Sequence, residues 1–90
     1  MTSVFLTTDR KYQFVEPSNG EDFSLEELQK FVGGYIEIVS LPNDKIMVAN
    51  EEGKCYNLPL NVLATRMMQQ IGRNDTIVGN VLICDADKVK

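Results

Sequence analysis

Apolar and polar positions alternate along some stretches of this chain and recur at helical spacing along others. Val4-Phe5-Leu6-Thr7-Thr8 is β-branched and aromatic, which is strand chemistry. Asp9-Arg10 reads as a turn, and Tyr12-Gln13-Phe14-Val15 resumes the alternation with Tyr12 and Phe14 on one face. These two runs predict an N-terminal hairpin. Glu16-Pro17-Ser18-Asn19-Gly20 is loop chemistry.

The period then changes to that of a helix. Ser24-Leu25-Glu26-Glu27 has the form of a capping box, with Phe23 and Leu28 placed as a hydrophobic staple. Leu25, Leu28, Phe31 and Val32 mark one apolar stripe, and Gly33-Gly34 stops the helix. Tyr35-Ile36-Glu37-Ile38-Val39 alternates again, with Ile36 and Ile38 on one face. Leu41-Pro42-Asn43-Asp44 turns, and Ile46-Met47-Val48-Ala49 returns as a second hairpin. Cys55-Tyr56 is a short pairing segment after the turn Asn50–Lys54. Asn61 caps a second helix, whose apolar face carries Leu63, Met67 and Ile71 with Ala64 and Met68 beside them. Thr76–Cys84 is apolar enough to be one long strand in the centre of a sheet.

The predicted class is α+β: one antiparallel or mixed sheet of about five strands with two helices packed on it, in the order β-β-α-β-β-(β)-α-β. Residues 1–84 form a single domain, and 85–90 are a charged tail that frays.

Composition narrows the chemistry. The chain has 90 residues, a net charge of −4 and no histidine. That removes Ser-His-Asp triads, Cys-His pairs and His-ligated zinc. The acidic balance argues against nucleic acid as partner, since a nucleic-acid binder clusters Lys and Arg on one face. At −4 it is also too weakly charged to mimic nucleic acid. Cys55 and Cys84 stand outside any CxxC motif and read as free thiols of a cytosolic protein. A disulfide between them requires Cβ atoms about 4 Å apart. The N-terminus lacks the basic segment and long apolar run of a signal peptide, and no apolar stretch is long enough for a transmembrane helix. The expected location is cytoplasmic, with no membrane partner.

No nucleophile has a base at diagnostic spacing, so neither catalytic residue, metal nor cofactor is expected. Glu26-Glu27 is accounted for by capping. Gly33-Gly34 precedes a strand, the reverse of a phosphate loop. Glu37 stands inside an apolar strand, where it is either a solvent-facing cross-strand partner or a perturbed carboxylate. Asn50, Glu51 and Glu52 sit in a turn; Asn61 starts a helix that carries Arg66; Asn80 interrupts an apolar run. Turn and cap chemistry accounts for each of them. Together they are also the candidate ligand- or partner-binding residues, since a helix start with neighbouring amides and Arg66 is suited to a nucleotide-like anion.

The ordered series Phe31–Val39, Met47–Lys54, Leu58–Asn61 with Ala64, and Ile77–Leu82 resembles the family named domain of unknown function 3846. The resemblance implies a bacterial, mobile-element or phage context and carries no catalytic residue with it. The expected function is that of a non-catalytic accessory protein acting by protein binding or self-association. The alternative is a small-molecule binding or sequestering protein.

Overall fold

The structure, a computed structural model, describes residues 3–89. Five strands form one sheet: β1 (Ser3–Leu6), β2 (Tyr12–Val15), β3 (Ile36–Leu41), β4 (Lys45–Asn50) and β5 (Val81–Asp85). The helices α1 (Leu25–Val32) and α2 (Val62–Gln70) follow β2 and β4, and a 3-10 turn covers Ala86–Lys88. Strand order is β2-β1-β5-β4-β3, and every pairing is antiparallel. The class and the order of strands and helices are those expected from the sequence.

Alternation along β4 and β5 divides the core in two. Ile46, Val48, Leu82 and Cys84 face α1, where they meet Phe23, Leu28 and Val32. Met47, Ala49, Val81 and Ile83 face the other way, where they meet Ala64 and Met68 of α2. The two central strands are thus buried on both faces, which is why they read as unbroken apolar runs. Each fully buried large side chain, such as Met47 or Leu82, contributes about 1.5–3 kcal/mol relative to exposure. On the α1 face, Phe31 lies 5.0 Å from the Phe5 ring and 5.9 Å from Phe23.

The start of α1 is built as its sequence predicts. The Ser24 hydroxyl accepts from the Glu27 amide at 3.2 Å, and Glu27 Oε1 accepts from the Ser24 amide at 3.2 Å. Glu27 Oε2 also accepts from the Ser18 amide, so one carboxylate binds the loop to the helix. Gly33 ends α1 in the left-handed region, at φ 79°. Leu25 departs from the expected stripe: it is exposed in the first turn, and Phe23, just ahead of the cap, supplies the buried side chain there.

Three further expectations change. Thr76–Cys84 is not one strand, because β5 starts at Val81. Ahead of it, the Ile77 carbonyl accepts from the Asn61 amide, the Ile77 amide donates to the Thr65 hydroxyl, and the Gly79 amide donates to the Pro59 carbonyl. These bonds turn residues 76–80 toward α2 and away from the sheet. Cys55-Tyr56 forms no strand; Glu51–Asn57 is a run of turns, with the Tyr56 amide bonded back to the Glu52 carbonyl. Asp85–Val89 are not frayed, and Lys90 of the expected tail lies outside the described residues. Asp85 completes β5 and pairs with Lys45 at 2.5 Å, and Val89 bridges to Phe23.

The Ser24 amide, followed by the Ser18 amide, holds the Glu27 carboxyl below its ordinary value. Folding therefore favours the carboxylate. Its contribution is present above the unfolded value of 4.5 and is lost as pH falls through the lower folded value. The Glu27→Gln variant is expected to lose less stability between about pH 7 and about pH 3 than the parent. Urea titrations of both proteins at the two pH values measure the difference.

Candidate functional site

A cleft of about 580 Å³ lies on the α2 side of β3. Glu37, Ile38, Val39 and Ser40 all line it. Side chains of consecutive strand residues point to opposite faces, so four in a row lining one cleft means that it runs along the strand's backbone. Asp75–Val78 line it as well, together with the buried side chains of Ala49 and Met68. Asn50, Glu51, Lys54 and Cys55 complete the lining.

β3 is an edge strand, so one side of its backbone has no strand partner. The Glu51 amide donates to the Tyr35 carbonyl, in register with the β3–β4 ladder. Antiparallel pairs alternate between bonded and non-bonded. Residues 37, 39 and 41 therefore bond to β4, while the amides and carbonyls of Ile36, Ile38 and Ser40 face outward. The charges beside this edge are Glu37, Glu51 and Asp75, against Lys54 alone.

The sequence-derived candidates separate into two groups. Glu37, Asn50 and Glu51 meet at the cleft. Glu52 shares with Asn50 a second hollow, of about 380 Å³, beside Tyr35 and Tyr56. Asn61, Arg66 and Asn80 line neither. Glu37 is exposed rather than buried.

The asparagines are occupied by the fold. Asn50 Nδ2 donates to the Val32 carbonyl and its Oδ1 accepts from the Glu52 amide, joining the end of α1 to the end of β4. A Cβ on Gly34 would stand 3.0 Å from Asn50 Nδ2, so a glycine leaves this amide its room. Asn61 is completely buried: its Nδ2 donates to the Leu6 and Gly79 carbonyls, and its Oδ1 accepts from the Ala64 amide. No atom of that side chain is left for an anion. Asn80 Oδ1 accepts from the Thr8 amide. Arg66 is exposed on α2.

Sequence reasoning missed Asp75, Lys54, Ser40 and Cys55 as cleft residues. Each lies in a loop, in a turn or on an edge strand, and the packing of segment 75–78 opposite β3 brings them together. Cys55 is exposed at the cleft, whereas Cys84 is buried between strand and helix, and both are free. Burial, then the Asp85 carboxylate, pushes the Cys84 thiol up to about 11. Among the described residues no group of three acidic or thiol side chains is placed to hold a metal ion. Among the same residues no helix is long and apolar enough to cross a membrane.

Asn61→Ala is expected to cost about 2–4 kcal/mol, because it removes a helix cap and strands two buried carbonyls. Asn61→Asp costs more, since it turns an acceptor toward those carbonyls. Arg66→Ala stays within about 0.5 kcal/mol. Urea unfolding of the three variants gives the order. Alkylation of the folded protein at about pH 8 is expected to modify Cys55 and to spare Cys84 until denaturant is added, a difference mass spectrometry reads directly.

No curated protein and no solved structure matches the chain. The match to the family described as Domain of unknown function (DUF3846) runs over residues 1–90, the whole chain, and the chain belongs to that family.

Proposed function

We propose that the protein is a non-catalytic interaction module of a bacterial mobile element or phage, and that it binds an extended, basic segment of a partner protein along β3. The context rests on the family resemblance. The binding mode rests on one observation: the outward-facing backbone of Ile36, Ile38 and Ser40 lies beside a cleft lined by Glu37, Glu51 and Asp75. An edge strand supplies main-chain hydrogen bonds to an added strand, and side-chain pockets at alternate positions select its sequence. Here the selecting groups are carboxylates, which favour Lys or Arg at those positions.

The same charges disfavour a nucleotide-like anion, and the helix start once suited to one has its Asn61 side chain engaged in the fold. The non-catalytic reading is supported by Cys84, whose thiol is held protonated at neutral pH, and by the absence of histidine.

The test uses two synthetic peptides, one alternating Lys with Val and one alternating Glu with Val. Titration is followed through the backbone amide resonances of the labelled protein. The basic peptide is expected to shift Ile36, Ile38 and Ser40 and to slow alkylation of Cys55; the acidic peptide is not. Added salt weakens the binding, as the carboxylates are near the surface. Ile38→Pro removes an outward amide and leaves the bonds to β4 intact, an edge position where proline is tolerated. Binding by the acidic peptide as strongly as by the basic one, or binding that survives Ile38→Pro, refutes the reading.

A further inference from the structure

At the other end of the sheet, β2 is also an edge. Its Tyr12 and Phe14 side chains are each 66% exposed and contact one another edge to face, with centroids 5.8 Å apart. The Thr7 amide donates to the Lys11 carbonyl at 2.9 Å, in register with the β1–β2 ladder. The alternation of bonded pairs then assigns residues 11, 13 and 15 to β1. The amides and carbonyls of Tyr12 and Phe14 face outward.

We infer that β2 is a self-association edge, where a second copy of this chain adds antiparallel across a two-fold axis to make one continuous sheet. The axis must stand perpendicular to the sheet, so opposed residue numbers add to an even sum. The sum 26 uses both outward-facing residues: Tyr12 opposes Phe14 of the second copy, and Phe14 opposes its Tyr12. Each of these two pairs exchanges both of its main-chain hydrogen bonds. Both pairs are aromatic, a favourable cross-strand combination. Gln13 opposes Gln13 at the axis, so no like charges meet there. Lys11 opposes Val15; Arg10, in the turn beyond one end of β2, and Glu16, beyond the other, bring opposite charges near one another at each end of the pairing. The sums 24 and 28 each oppose one outward-facing residue to itself and leave the other facing a residue outside the strand. Self-pairing of β3 is disfavoured, because it brings two clefts lined by Glu37, Glu51 and Asp75 together across the axis.

This inference is independent of the β3 reading, and its test is the mass in solution. Sedimentation equilibrium at about 200 μM, which populates an interface of micromolar Kd, should give twice the 10.1 kDa of the single chain. Phe14→Pro removes an outward amide and not a β1 bond; it is expected to raise Kd at least about tenfold with an unchanged far-ultraviolet spectrum. Should that variant fail to fold, the surface charges decide. Arg10→Glu is expected to raise Kd, and Arg10→Glu combined with Glu16→Arg to restore it. A wild-type protein that stays at 10.1 kDa overturns the inference, as does a dimer indifferent to both Phe14→Pro and the charge exchange.

Discussion

The Asn61 side chain ties the start of α2 to the end of β1 and to the segment just ahead of β5. Its amide group donates to the carbonyl at the end of β1 and to the carbonyl just ahead of β5, while its oxygen accepts from the first turn of α2. A side chain with no exposure has no water to replace these partners, so all three bonds are made together or not at all. Thr65 extends the same tie, as its hydroxyl bonds both the amide and the carbonyl of Ile77. The position of α2 over the sheet therefore depends on polar bonds at its N-terminus as well as on Ala64 and Met68. Segment 75–78, which lines the cleft opposite β3, is held by the same group of bonds.

The α1 side uses a parallel arrangement with a different asparagine. Asn50 bonds the last carbonyl of α1 and the amide of Glu52, so the helix end, the strand end and the turn beyond it move as one. With both faces of β4 and β5 covered, the open strand surfaces lie chiefly on the outer strands β2 and β3. Exposure and free backbone thus concentrate on β2 and β3.

Much of this was legible locally. The capping box at Ser24 and Glu27, the hairpin around Pro42 and the alternation of β4 are each set by contacts a few residues apart. Pairing of β1 with β5 was not legible, because it joins residues some 75 positions distant and no local pattern encodes it. The run Thr76–Asn80 has strand composition, but the bonds from Asn61, Thr65 and Pro59 outweigh it. Asn50, Asn61 and Asn80 are all hydrogen-bonded within the fold, which their places in the sequence do not reveal. A buried asparagine with every polar atom bonded and one placed to receive a ligand look the same in sequence. Glu37 and Glu51 stayed at a cleft because their strand and turn leave them at the surface, whereas Cys55 and Asp75 needed the tertiary fold to meet them.

The strand order has a consequence for how the chain is made. β5 lies between β1 and β4, yet it is the last strand along the chain. A ribosome thus delivers two separate hairpins before it delivers the strand that zips them together. Until residue 85 emerges, the nascent chain carries two unjoined half-sheets whose inner edges are open to pairing, and those edges need shelter or speed to stay unpaired with neighbours.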